Sequence, residues 1–354
     1  MTIPTRVSQW TPPSTAKRKI FRILFCLSLL GLLALPATPQ TQGTRKKLEG
    51  TSAKSAPLLW EEPSDITSRD LFDGRGGKAD APASNTFVFE KEDLDGTTPK
   101  FVVKDASGVK WKIKLGVEAK PETAAARLVW GAGYFANKDY FLPVVKVTGI
   151  PGDLHRGKNL IGRDGTIRTV RLKREDEHKL SDWEWKHSPF QGTREWNGLR
   201  VLMAVLNNWD LKDVNNGVYA GTDRNGQPVR LYMVSDLGAS FGKTSATKSG
   251  KGKLELYRKS RFIVKTSRDT VSFSSPGRMP VYEIFALPEY VRRVKIHWIA
   301  NDVPRGDARW MGELLGHLIP SQIGDAFRAA GYSDEEVQGF VEVIERRIGQ
   351  LREL

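Results

Sequence analysis

The stretch Val109-Lys110-Trp111-Lys112-Ile113-Lys114-Leu115 alternates between apolar and basic residues. A period of two puts Trp111, Ile113 and Leu115 on one face of a strand and the three lysines on the other. A chain that carries this pattern must build a sheet with one buried face. Neighbouring signals agree. Thr86-Phe87-Val88-Phe89 and Phe101-Val102-Val103 are β-branched or aromatic runs, and Asp105-Ala106-Ser107-Gly108 is a turn. Pro121-Glu122 then opens a helix through Ala124, Ala125, Ala126, Leu128 and Val129, ended by Gly131 and Gly133.

Beyond about Gly149 the pattern changes to longer helices separated by loops. Thr193 is placed to cap a helix whose Trp196, Leu199, Leu202, Met203, Val205 and Leu206 recur at helical spacing, and Asn207-Asn208 ends it. A hairpin follows, Gly217-Val218-Tyr219 and Arg230 to Val234, turned by Asp223-Arg224-Asn225-Gly226. Trp310, Leu314, Leu315 and Leu318, then Val337, Phe340, Val341, Ile344 and Ile348, mark helices at the C-terminal end, within a helical stretch expected from Tyr282 to Leu354. The expected fold class is α+β, with two lobes: residues 57–148 as a small strand-rich N-lobe and 149–354 as a larger helical C-lobe. A cleft between them is the expected ligand site.

Net charge narrows the partners only after it is divided along the chain. Of 55 basic against 41 acidic residues, giving +14, five basic residues and no acid fall in the first 37 positions. There Lys17, Arg18, Lys19 and Arg22 precede an apolar run, Ile23 to Leu35, that would span about 20 Å as a helix, too short for a hydrocarbon core of about 30 Å. A basic start, a short apolar core and small residues near Ala37 read as a secretory signal peptide, 1–37, with an uncleaved anchor as the alternative. Residues 38–56 read as a flexible linker. The expected location is therefore outside the cytoplasm, periplasmic or secreted. The sole cysteine, Cys26, leaves with the signal, so no cysteine-built metal site remains. The rest of the chain carries about +9, and export makes nucleic acid an unlikely partner. The basic stretch Lys243 to Lys265, with Glu255 as its one acid, is a candidate for meeting an anionic surface.

The segment most informative about chemistry is Asp210-Leu211-Lys212-Asp213-Val214-Asn215, between a buried helix and the hairpin. An Asp at the end of a rigid helix can orient a hydroxyl and accept its proton, while an Asn five residues on can turn toward a metal held at phosphates. Asp213 is a rival for the base. The strand Tyr232-Met233-Val234-Ser235 then runs into Asp236-Leu237-Gly238, a carboxylate at a strand end suited to Mg²⁺, followed by a glycine expected to free the backbone. Upstream, Lys114 on its strand can meet nucleotide phosphates, and Glu122 at the start of the next helix can orient it.

In these motifs the chain resembles the protein-kinase-like superfamily, and more closely its atypical branches: the phosphatidylinositol 3/4-kinase group, toxin-antitoxin serine kinases and secretory-pathway kinases. Lys100 to Gly242 also looks like a group of exported bacterial kinase-like proteins of unknown function. The resemblance implies ATP with Mg²⁺ or Mn²⁺ in the cleft and transfer of its γ-phosphoryl group to a hydroxyl on a protein, lipid headgroup or sugar. It further implies Asp210 as the catalytic residue, Asn215 and Asp236 as metal ligands, and Lys114 with Glu122 as the phosphate-anchoring pair. The sequence also departs from the family. No Gly-x-Gly-x-x-Gly lies ahead of Lys114, the Gly-rich run Asp73 to Lys78 lies far upstream, and Asn208-Trp209 stands where His-Arg usually precedes the catalytic Asp. A non-catalytic pseudokinase-like envelope module is thus the competing reading. Three further expectations are structural. Trp183, Trp185 and Trp196 read as core or inter-lobe packing, with a carbohydrate-stacking surface as the alternative. Arg168 to Lys179 reads as a solvated loop, and the five histidines show no metal-ligand spacing.

Overall fold

The computed structural model describes residues 55–208, 210–242, 250–274 and 296–354. The signal-peptide reading, nearly all of the linker, Trp209, residues 243–249 of the basic stretch and the beginning of the C-terminal helical stretch lie outside the described residues.

A short strand, β1 (Ala56–Leu58), precedes three longer ones, β2 (Thr86–Asp93), β3 (Lys100–Lys104) and β4 (Lys110–Leu115). Helix α1 (Ala119–Gly131) follows, then β5 (Phe135–Ala136), β6 (Asp139–Thr148) and β7 (Thr166–Arg174). Strands β2, β3, β4, β7 and β6 close into a barrel. Its interior is Phe101, Val103, Trp111, Ile113, Leu115, Val170 and Leu172 with their neighbours, so the alternation in β4 is resolved as expected. At about 25 cal/mol per Å² of apolar surface removed from water, such side chains each contribute about 1.5–3 kcal/mol.

The closed barrel moves the expected lobe boundary. Its strand β7 lies beyond Gly149, so a division at 148/149 would cut the barrel between β6 and β7. Arg168 to Lys179 is accordingly not a solvated loop: Val170, Arg171 and Leu172 are buried in β7. The run of charges in this stretch hides a strand whose apolar residues fill the barrel. Thr169, at φ 58°, breaks its alternation, so Ile167 and Val170 both reach the core.

The second lobe begins with β8 (Lys179–Ser181) and α2 (Arg194–Val205). Thr193 caps α2 as expected, its hydroxyl accepting from the Trp196 amide at 3.2 Å. The hairpin β9 (Asn216–Thr222) and β10 (Pro228–Val234) joins β8, β1 and β5 in a second sheet, with Gly226 at φ +76° in its turn. The chain then forms α3 (Leu254–Arg258), β11 (Ile263–Thr266), β12 (Thr270–Phe273) and β13 (Val303–Pro304). Three helices finish it: α4 (Arg305–Leu315), α5 (Pro320–Arg328) and α6 (Asp334–Arg352). The fold is thus α+β, a strand-rich lobe followed by a helical one in the two-lobed kinase-like manner. No helix among the described residues is long and apolar enough to cross a membrane. Trp183, Trp185 and Trp196 are at most 5% exposed, which makes them core and leaves no stacking surface.

Candidate active site

Helix α1 lies on the outer face of the barrel, and Glu122 in its first turn points back at the strands. Lys114 Nζ meets Glu122 Oε2 at 2.6 Å, Asp236 Oδ1 at 2.5 Å and Glu118 Oε2 at 3.3 Å, with only 4% of its side chain exposed. Three carboxylates around one ammonium form a cage. Burial alone would depress the Lys114 pKa, but Glu122 and Asp236 more than reverse that and raise it. The Asp236 carboxyl is held below its ordinary range, because Lys114 outweighs the cost of burial. Glu118, Glu122 and Asp236 lie close enough together to suggest a metal site, but the Lys114 ammonium already sits among them.

A second cation closes the cage from behind. Arg171 is the neighbour of Lys114 across the β4–β7 ladder, and its Nη2 donates to Glu122 Oε1 at 2.9 Å while its Nε lies 3.7 Å from Asp139. Burial raises the Glu122 pKa, opposed by Arg171 and Lys114. Sequence reading missed Arg171 because it lies among charges that suggest solvent. The available signal was the strand around it, Ile167, Val170 and Leu172.

Asp236 follows β10 in the left-handed region, at φ 53°. Asp tolerates that conformation better than most residues, and local strain of this kind is concentrated at functional sites. Gly238 does not supply backbone freedom as expected. It lies in a 3-10 turn (Leu237–Ala239), and a Cβ there would come within 2.7 Å of the Glu118 Cβ. It is glycine because α1 passes too close for a side chain. Phe241 then anchors the segment in an aromatic cluster with Tyr257, Phe327 and Phe340.

The opposite wall is the loop after α2. Arg347 from α6 donates to the carbonyls of Ala204 and Val205 at 3.0 and 2.9 Å, so a buried cation caps the helix that delivers the loop. The Asn208 side chain accepts from the Asp210 amide at 3.0 Å, and Asn215 Nδ2 donates to the Asp210 carbonyl at 2.8 Å. These bonds wrap the loop around Asp210 and leave the Asn215 amide oxygen as the atom for a further ligand. Lys212 pairs with the Asp210 carboxylate at 2.7 Å. The rival, Asp213, spends one carboxylate oxygen accepting from the Trp185 amide at 3.0 Å.

Lys114, Asp210, Asn215 and Asp236 line one cavity of about 530 Å³ between the walls, and Glu122 stands behind Lys114. The five residues singled out by sequence therefore converge. The cavity is also lined by Gly96, Thr97 and Thr98, the turn between β2 and β3. Arg156 fastens this turn by donating to the Gly96 carbonyl and, at 2.7 Å, to that of Asp93. Sequence reading sought a glycine-rich loop in a longer pattern and passed over Asp95-Gly96, a hairpin signal between two strand-like runs. The upstream run Asp73 to Lys78 is a strap: Gly74 packs on Arg127, Gly76 on Tyr140. Lys251, from the basic stretch, lines the cavity and pairs with Glu118. Further along, Arg258 and Lys259 pair with Glu255, and Arg258 also approaches Glu342. Of the six cations described in that stretch, Lys251, Arg258 and Lys259 are thus paired.

No family model matches the sequence, and no curated protein matches it. Among solved structures the chain is similar to the Helicobacter pylori proinflammatory kinase CtkA, with 9% identity and a TM-score of 0.39 over 76% of this chain and 96% of that one. It is also similar to the Golgi casein kinase, with 9% identity and a TM-score of 0.29 over 89% of this chain and 92% of that one. Both likenesses are loose, and the functional reading rests on the geometry of the site itself.

Proposed function

We propose that the chain is an exported kinase-like phosphotransferase that binds a nucleoside triphosphate between its lobes and transfers the γ-phosphoryl group to a hydroxyl acceptor. The observation that carries this reading is the convergence of Lys114, Asp210, Asn215 and Asp236 on one cavity, with Glu122 paired to Lys114. The residues suit a divalent cation. Asp236 keeps 42% of its side chain exposed while one oxygen engages Lys114, and the Asn215 amide oxygen faces no other partner among the described residues. Bound there, Mg²⁺ or Mn²⁺ would neutralise charge on the phosphates.

The chain's own residues supply the rest. Asp210 orients the acceptor hydroxyl and takes its proton as the oxygen attacks the γ-phosphorus, and the bond to the β-bridging oxygen breaks to release the nucleoside diphosphate. Lys212, paired with Asp210, sits where a cation can balance the transferring group. Holding both reactants between two walls supplies most of the catalysis. The N-terminal segment supports export as part of this proposal. The pseudokinase reading draws on one observation, the direct engagement of Asp236 by Lys114, and it predicts nucleotide binding without turnover.

The test is nucleoside diphosphate production from Mg·ATP or Mn·ATP by the purified chain, with Asp210→Asn as control. Turnover that falls at least 100-fold in the variant, at unchanged melting temperature, is expected. Binding with no turnover in either protein would favour the pseudokinase.

A further inference from the structure

A cation that sequence reading did not select stands in the same cleft. Lys100 is the first residue of β3, two residues after Thr98 of the Gly96–Thr98 turn, and it lines the cavity with 17% of its side chain exposed. It is the direct neighbour of Lys114 across the β3–β4 ladder. Residues so placed project from the same face of the sheet with Cβ atoms about 5 Å apart, and like charges in that relation are unfavourable. The two lysines differ in how they are compensated. Lys114 has three carboxylates within 3.3 Å, whereas among the described residues the one ion pair of Lys100 is with Asp93 at 3.9 Å. Asp93 is itself committed to Lys112, at 2.9 Å. Lys114 is therefore compensated at contact distance, whereas Lys100 is compensated only at longer range, by Asp93, shared with Lys112, and by Asp236, engaged by Lys114.

We propose that Lys100 is the principal protein cation for the polyphosphate chain of the ligand, and that Lys114 acts chiefly to hold Asp236 and Glu122 in place. An anion at the Gly96–Thr98 turn would relieve the repulsion between the two lysines and complete the half-made compensation of Lys100. Burial is the main cause that lowers the Lys100 pKa; Lys114 and Lys112 add to the shift, and Asp93 and Asp236 oppose it without reversing it. This inference rests on the nucleotide reading of the cleft, and it goes further by moving the main phosphate contact to a different strand.

The experiment compares the full chain with Lys100→Met and Lys100→Arg, measuring equilibrium binding of Mg·ATP, inorganic tripolyphosphate and adenosine. Lys100→Met should weaken ATP and tripolyphosphate binding at least tenfold and leave adenosine unaffected, while Lys100→Arg stays within about threefold of wild type. The melting temperature of unliganded Lys100→Met should be unchanged or raised, since a like-charge contact is removed. A fall would point to a structural ion pair instead and count against the proposal. Equal ATP affinity in wild type and Lys100→Met would overturn the proposal and leave the nucleotide reading standing. Lys100-dependent binding of tripolyphosphate without any binding of ATP would overturn the nucleotide reading and leave an anion site. Binding of none of the probes would overturn both.

Discussion

The two walls of the cleft are built on opposite terms. The strand wall is a buried ionic network: Lys114, Arg171, Glu122 and Asp139 are each at most 4% exposed and are held by one another. The loop wall is half-exposed and held by hydrogen bonds to backbone, with Asp210 fixed through Asn208 and Asn215. In the strand wall, removing one member leaves an uncompensated charge in a low-dielectric region. In the loop wall, the Asp210 carboxylate, proposed to meet the acceptor, should be replaceable with little effect on the frame. On the proposed function, the difference separates stability, set mainly by the strands, from chemistry, set mainly by the loop.

The comparison breaks if substitutions on the two walls behave alike. Arg171→Met should have the largest effect on stability, because it leaves Glu122 and Asp139 buried without their shared cation. A loss of about 3–5 kcal/mol is expected in denaturant unfolding. Asp210→Asn should change stability by less than about 1 kcal/mol while reducing turnover 100-fold or more, equivalent to about 2.7 kcal/mol in the barrier. Equal destabilisation by the two changes would show that the walls do not divide the work. Gly238→Ala tests the junction between them. The added methyl meets Glu118, so about 1–3 kcal/mol should be lost through overpacking, with the weakening of nucleotide binding exceeding that in Asp210→Asn.

The smallest effect concerns pH. Asp236, ordinarily 3.8 and lowered here, contributes stability that is present above its unfolded value and lost as pH falls through the lowered value. Lys114, ordinarily 10.5 and raised here, contributes stability that is present below that value and lost only as pH rises through the raised one. The pair should therefore stabilise a plateau from about pH 4 to about pH 10.5. Lys114→Met should flatten the acid edge of that plateau in melting-temperature profiles, and an acid edge identical to wild type would remove this contribution.

The same contrast explains what could be read from sequence. The loop wall is a local motif, six consecutive residues followed by a hairpin, and Asp210 to Asn215 was legible as it stands. The strand wall is assembled from β4, α1, β7 and the end of β10, and its burial depends on which elements pass over it. The three lysines of β4 show this. On one face of one strand, Lys110 keeps 53% of its side chain exposed, Lys112 32% and Lys114 4%. Alternation identified their common face and could not rank them, since the ranking is imposed by α1 and Asp236. Arg171 and Lys100 were missed for the same reason: what singles out each is its pairing with Lys114 across a strand ladder, which no local pattern shows.

The central claim is that both walls meet on one metal-bound nucleotide, and calorimetric titration of the chain with ATP in the presence and absence of Mg²⁺ or Mn²⁺, beside Asp236→Ala, tests it most directly. Saturable binding that requires the metal and is lost in Asp236→Ala is the predicted result. Absence of binding, or binding indifferent to both metal and Asp236, would contradict it.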